Sequence, residues 1–224
     1  MTCDFQQLAP IPTQTRRDHV AQTLRSAIIS GQIAPGTQLV ESRLTAQLGV
    51  SRGLLREAIR ELVESGLVTN RPYAGAFVAE LNAPMLQDVY EMRRVLEIQA
   101  YTRIWPHRDA AFREALQQRF QLMLEAIRGN ELGEKSRAES YFHGLVFERC
   151  GNHLMPTFWQ QMSQKIQLGL AICQISMAPK PDFEANHRRF MQCALGESLE
   201  DMMEELNTHL DRGLNTIQAT AKAP

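Results

Sequence analysis

Apolar residues recur at helical spacing along most of this chain, and strand-like runs are confined to one short stretch. Val20, Leu24, Ala27 and Ile28 share one face of a first helix, which Ser30-Gly31 closes before the turn at Pro35-Gly36. A short second helix is predicted from about Glu41 to Leu48, with Leu44 and Leu48 inward. Gly49 to Ser51 connect it to a third helix, in which Leu55, Ala58, Ile59 and Leu62 form an apolar stripe. Ser51 is placed to accept a hydrogen bond from a first-turn amide, Gly49 lets the chain bend into that turn, and Gly66 ends the helix. Leu67–Arg71 and Ala76–Val78 then read as extended runs around the breaker-rich Pro72-Tyr73-Ala74-Gly75, a hairpin.

Beyond Leu81 long helices take over. The first begins at Asn82-Ala83-Pro84 and runs to about Trp105-Pro106. Others follow over about Asp109–Arg128, Leu132–Cys150 and His153–Ile175, the last of these ending in a loop at Pro179–Pro181. Two more span Asp182–Leu195 and Ser198–Ala219, separated by Gly196. The fold class is therefore mainly α: a winged helix-turn-helix followed by an all-helical bundle. The expected division is a flexible arm over 1–15, the winged helix over 16–80, a linker at 81–84, the bundle over 85–219 and a tail at 220–224.

The third helix carries the first candidate chemistry. Arg52, Arg56 and Arg60 are spaced by four on a face away from the apolar stripe. Three stacked guanidinium groups suit phosphates or the acceptor edges of guanines in a major groove. The same arginines also read as a solvated face paired with Glu57, Glu61 and Glu64 at helical spacing. The helix-turn-helix context favours DNA, because in that motif the second helix lies in the groove. Arg52 and Arg56, near the helix start, are placed for bases, and Arg60 for a phosphate or for Glu64.

The block from Ile28 to Val78, with PGT, GVSR, REA, GLV and GAFV, resembles the DNA-binding domain of GntR-type bacterial regulators. The resemblance implies that Arg43, Arg52, Arg56 and Gly75 face DNA, and Ser51 and Arg60 belong to the same face. Gly53-Leu54 stands where these proteins often carry Thr-Pro, which removes a hydroxyl and a rigid first-turn proline and bears on base preference.

Composition adds limits. With 224 residues, 44% hydrophobic, the chain has material for two cores. Net charge is −1, and the first 80 residues, with eight arginines against seven acids, are only mildly basic. DNA affinity then leans on a few placed arginines and on doubling in a homodimer. No apolar run reaches the length of about 18 residues that a membrane span needs, and no export signal is visible. Cys3, Cys150, Cys173 and Cys193 form no CxxC pair, so a cytoplasmic protein without a disulfide framework is expected.

In the bundle, Glu139 and His143 are four apart on one helix, so a carboxylate and an imidazole project from one face. His187 and His209 flank a turn near Glu197 and reach similar levels on two antiparallel helices. Three imidazoles and a carboxylate suit zinc, nickel, manganese or iron with positions left open, although each histidine taken singly also reads as a surface or hydrogen-bonded residue. His19, His107 and His153 show no such arrangement. Arg93 shares a face with Leu86, Tyr90 and Ala100 and points inward. Its partner is either Glu97, one turn on, or the carboxylate of a small organic acid. Asn152 reads as a cap of the next helix.

From about Met85 to Thr216 the chain resembles the FCD effector domain found behind GntR-type DNA-binding domains, on EMRRVLE, ESYFHGLVFERCGN and the two later histidines. That resemblance implies a divalent metal on Glu139, His143, His187 and His209, with Glu139 replacing a more usual aspartate, and an effector pocket that includes Arg93. The expected function is a homodimeric DNA-binding regulator, most simply a repressor and not an enzyme, answering to a small carboxylate near the metal. Two alternatives are a regulator that senses the metal itself and a DNA-tethered metallohydrolase. Against the second, no general base is identifiable and the repeated Glu-x-x-His of di-iron bundles is absent.

Overall fold

The computed structural model describes residues 16–80, 83–129, 132–176 and 183–221. The expected arm, and the ends of the expected linker and tail, lie outside the described residues. Helices α1 (Arg16–Ile29), α2 (Glu41–Leu48) and α3 (Arg52–Glu64) are followed by an antiparallel hairpin of β1 (Val68–Arg71) and β2 (Gly75–Val78), in which Val68 pairs with Val78 and Arg71 with Gly75. Gln38 bridges to Phe77, so the segment before α2 extends the wing.

The local signals explain these elements. Ser51 Oγ accepts from the Leu54 amide at 3.3 Å and caps α3, and Gly49, at φ +62°, ends α2 in the left-handed conformation. Leu55, Ala58, Ile59 and Leu62 are all buried, with Val20, Ala21, Leu24 and Ile28 of α1 and Val68 and Val78 of the wing around them. Leu44 and Leu48 are only half-buried at the edge of this core, because α2 is short and lies across it.

The bundle comprises α4 (Ala83–Ile104), α5 (Ala110–Arg128), α6 (Leu132–Arg149), α7 (Met155–Ser176), α8 (Phe183–Leu195) and α9 (Leu199–Ala221), with a single 3-10 turn at Trp105–His107 after α4. Asp109 caps α5 through the Phe112 amide at 2.8 Å. α7 starts two residues later than its expected beginning at His153. Asn152 Oδ1 accepts from the Leu154 amide and Asn152 O from the Met155 amide, which makes a turn before the helix. α4 packs on α6, α7 and α9, and α8 on α5 and α9, so α4, α6, α8 and α9 enclose the middle of the bundle.

The two parts touch through α6 and α7, which both pack on α1. Leu168 is 1% exposed and belongs to the core of the winged helix rather than to that of the bundle. Arg25 of α1 ties Glu61 of α3 at 2.8 Å and Gln164 of α7 at 3.3 Å. Gly66, at φ +77°, lies under the Lys165 side chain so closely that a Cβ there would meet its Cε at 2.5 Å. Glycine suits the left-handed conformation there, and the flexible end of Lys165 would have to shift for a Cβ.

Candidate functional site

Three helices of the bundle bring four polar side chains into one buried group. Glu139 and His143 come from α6, His187 from α8 and His209 from α9, and all four are buried. The imidazole centroids are 5.4 Å apart for His143 and His187, 5.1 Å for His143 and His209, and 4.7 Å for His187 and His209. One nitrogen of each lies within 4.8 Å of one nitrogen of the others. Glu139 Oε1 stands 3.5 Å from His143 Nε2 and 3.9 Å from His187 Nε2.

Hydrogen bonding directs these groups inward. His187 Nδ1 is 2.7 Å from the Phe183 carbonyl, which can only accept, so the proton sits on Nδ1 and the Nε2 lone pair faces the cluster. Among the described residues, His187 Nε2, both nitrogens of His143, His209 Nδ1 and Glu139 Oε2 are buried without a hydrogen-bond partner. Orphaned polar atoms at this density are expensive unless something binds them. Neutral imidazoles beside a carboxylate fit a divalent ion of the zinc-to-iron series, and one supplied there would be held by the three histidines with Glu139 alongside.

Burial pushes the imidazoles of His143 and His209 below their ordinary value. Arg93 adds to this for His143 while Glu97 and Glu139 oppose it, and His187, His143 and the arginines Arg93 and Arg212 add to it for His209. For Glu139 burial acts upward, but Arg93, His187 and His143 together hold its carboxyl at about 2. These shifts set the pH dependence of the metal-free fold. The unfolded chain takes up protons at His143 and His209 as pH drops below 6.5, whereas the folded chain resists them. Stability therefore declines from that point, each suppressed imidazole contributing up to about 1.4 kcal/mol per pH unit, and Glu139 adds a further loss below its unfolded value of 4.5. Urea unfolding of chelator-treated protein should show a lower free energy at about pH 5.5 than at about pH 8, and equal values would contradict the assignment.

Arg93 is 1% exposed, and of its two expected partners Glu97 is the one in contact. Its Nε pairs with Glu97 one turn on, and Nη1 lies 3.5 Å from Glu139, while Nη2 is buried with no hydrogen-bond partner among the described residues. Arg93, Glu139, His187 and His209 line a cavity of about 30 Å³, together with Arg212 and Tyr90. That space holds an ion with a water-sized group, and a larger molecule enters only if the walls move. Glu97 faces His143 Nδ1 at 3.6 Å as well as Arg93, a role the sequence reading did not assign. Arg212, one turn beyond His209 on α9, was also missed, although its spacing of three marks the same helix face.

On the winged helix, Arg43, Ser51, Arg52, Arg56 and Arg60 are all exposed, and Gly75, at φ +92°, opens β2. The alternative pairing of the ladder with Glu57, Glu61 and Glu64 does not form. Glu61 is taken by Arg25, and Arg56 reaches back to Glu41 of α2 at 2.9 Å. Among the described residues no acid pairs with Arg43, Arg52 or Arg60 within 4.0 Å, so these guanidinium groups stand in solvent. The Ser51 hydroxyl is engaged in capping α3.

Comparison with known proteins places both halves. Residues 16–78 match the family described as bacterial regulatory proteins, gntR family, and residues 88–212 match the FCD domain. The gluconate operon transcriptional repressor of Bacillus licheniformis is 24% identical over 197 residues, 86% of this chain and 81% of that protein. The probable D-xylose utilization operon transcriptional repressor of Paenarthrobacter nicotinovorans is 27% identical over 197 residues, 86% of each chain. In fold, a crystal structure of a GntR regulator from Rhodococcus sp. RHA1 superposes with a TM-score of 0.79 at 24% identity, covering 92% of this chain and 99% of that one. No helix among the described residues is long and apolar enough to cross a membrane. With a winged helix presenting unpaired arginines, a helical domain with a buried histidine cluster, and both domain matches in this order, the chain belongs to the GntR family of bacterial transcription regulators, in the branch that carries an FCD domain.

Proposed function

We propose that the protein is a homodimeric repressor whose grip on a two-fold related DNA operator is set by a small carboxylate bound beside a divalent metal in the helical domain. One observation carries the effector half: three buried imidazoles come together, and two of them, His187 and His209, share a cavity with an arginine whose Nη2 lacks a hydrogen-bond partner among the described residues. A metal supplies positive charge and an open position for a carboxylate oxygen, and the Arg93 fork supplies the matching donors. His143, His187 and His209 are the proposed ligands, with Glu139 completing the set. Repression is supported by the relatives named as operon repressors. Met92 and Val95, exposed and three apart on α4, offer an apolar contact to a second copy.

Because the cavity is small, an acid larger than a few atoms stabilises a bundle in which α4, α6, α8 and α9 stand further apart, and this differential binding shifts the population. α7 carries the change outward: Leu170 lines the cavity, and Leu168, two residues away, sits in the winged-helix core. A thermal-shift screen of sugar acids, hydroxy acids and dicarboxylates tests the reading on chelator-stripped and zinc-reloaded protein. The expected result is an acid that raises the melting temperature only with metal present. Acids that act equally on both forms would favour binding away from the histidines, and DNA affinity that follows metal alone would favour a metal sensor.

The DNA face has its own test. Arg52→Ala should weaken binding to the operator by about 1–3 kcal/mol and relax its preference for one base pair, whereas Arg60→Ala should weaken all sequences alike. Electrophoretic titration against operator and shuffled duplex separates the two, and equal losses on both duplexes for Arg52→Ala would remove it from base reading.

A further inference from the structure

One guanidinium joins three helices and both halves of the chain. The Arg25 side chain of α1 is 17% exposed, and each nitrogen of its fork has its own acceptor. Nη1 donates to Gln22 Oε1 on α1 at 2.9 Å, Nη2 to Glu61 Oε1 of α3 at 2.8 Å, and Nε to Gln164 Oε1 of α7 at 3.3 Å. The fork is planar and rigid, so the three directions are interdependent: with Gln22 and Glu61 engaged, the place of Gln164 is set. α3 is the helix that carries Arg52, Arg56 and Arg60 on another face.

The halves are tied at two places. β2 ends at Val78 and α4 begins at Ala83, so the chain joins them covalently over a short stretch, and a single tie of that kind leaves a hinge. α7 makes the second tie. Leu168 belongs to the core of the winged helix, Lys165 lies over Gly66 just beyond α3, and Arg137 of α6 reaches Ser26, the neighbour of Arg25, at 3.5 Å. Burial of Leu168 opposes separation of the halves, but an apolar contact is non-directional and does not set an angle. Hydrogen bonds are directional, and those of Arg25 span the contact from α3 to α7.

We propose that Arg25 is a positioning residue for operator reading: by holding Glu61 of α3 against Gln164 of α7, it fixes the angle between the reading helix and the bundle and thereby limits the half-site spacing that the homodimer accepts. The spacing consequence rests on the homodimeric reading above, whereas the fixed angle within one chain does not. Adding one base pair between half-sites moves one of them by roughly 3.4 Å and turns it by roughly 35° about the duplex. A winged helix free to pivot on Leu168 absorbs such a change, and one held by the bridge does not.

Two variants carry the test. Gln164→Ala cuts the link to α7 and leaves the pair of Arg25 with Glu61 inside the winged helix, so its melting temperature should stay within about 2 °C of wild type. Arg25→Ala removes all three bonds. The first readout needs neither DNA nor a dimer: electron–electron double resonance between spin labels on non-natural amino acids replacing the exposed Glu57 of α3 and Gln117 of α5, in labelled chain diluted with unlabelled chain. Both variants should give a distance distribution at least about twice as broad as that of wild type. The second uses a duplex selected from a random-sequence pool by the wild-type full chain, with versions one base pair longer or shorter between the half-sites. Wild type should lose at least about tenfold in affinity on the altered duplexes, and each variant less than about threefold. Distance distributions as narrow in Gln164→Ala as in wild type would overturn the proposal, as would a wild type indifferent to spacing or a spacing penalty undiminished in both variants. A wild-type footprint over a single half-site would instead refute the homodimeric reading, and the distance distributions then decide the role of Arg25 by themselves.

Discussion

Arg93→Met is expected to cost the bundle about 3–5 kcal/mol, because it leaves two buried carboxylates facing each other's surroundings without their shared cation. Arg93 lies between Glu97 and Glu139, and its guanidinium is what draws both carboxyls below their usual range against the upward push of burial. Denaturant unfolding measures the loss. The double variant Arg93→Met/Glu97→Gln should recover part of it, since one of the stranded charges is gone. A loss below about 1 kcal/mol would mean that water reaches these groups and that the cluster is not sealed. Arg93→Lys separates the structural role from the proposed ligand role. Lysine keeps the charge but not the planar fork, so metal uptake should persist while carboxylate affinity falls.

The second large effect is expected from His143→Ala. His143 stands within reach of His187, His209, Glu139 and Glu97, so its imidazole is the hub of the proposed centre. Competition against a chromogenic chelator should show zinc affinity falling by more than about 100-fold, beyond the range seen when only a supporting partner is lost. Glu139→Gln resolves the role of the carboxylate. A similar fall would make it a ligand, and a fall of about tenfold would make it a supporting group that orients the histidines. Unchanged metal affinity in His143→Ala would dissolve the assignment of the cluster as a metal centre. The winged helix should stay folded in either variant, because apart from Leu168 of α7 its core is built from its own residues.

What could be read from the chain beforehand follows the reach of the physics. The α3 stripe was legible because helical periodicity is local, and Leu55, Ala58, Ile59 and Leu62 are indeed all buried. The inward aim of Arg93 and its pairing with Glu97 were legible for the same reason, as both lie on one helix. Glu139 beside Arg93 and Glu97 beside His143 were not, since each contact crosses from α4 to α6 and depends on how the helices pack. His187 and His209 form the intermediate case: equal distance from a turn brings two helices into register, and their rings do meet, at 4.7 Å. The alternative reading of the ladder, paired within its own helix, is not met because helical spacing ignores neighbours. Arg25 from α1 captures Glu61, and Glu41 from α2 captures Arg56. The left-handed conformation at Tyr73 could not be foreseen, because turn propensity puts glycine or asparagine at that position.

The proposed coupling runs from the histidine cavity through α7 to the helix that carries Arg52, and it implies a reciprocal link between ligand and DNA. Fluorescence anisotropy of a labelled operator duplex, titrated with metal-stripped, zinc-loaded, and zinc-plus-acid protein, measures that link directly, using the acid found in the thermal-shift screen. The expected result is tight binding by the zinc-loaded protein that weakens at least about fivefold when the acid is added, with no response to the acid in His143→Ala. Identical DNA affinity with and without an acid that demonstrably binds the zinc-loaded protein would contradict the account.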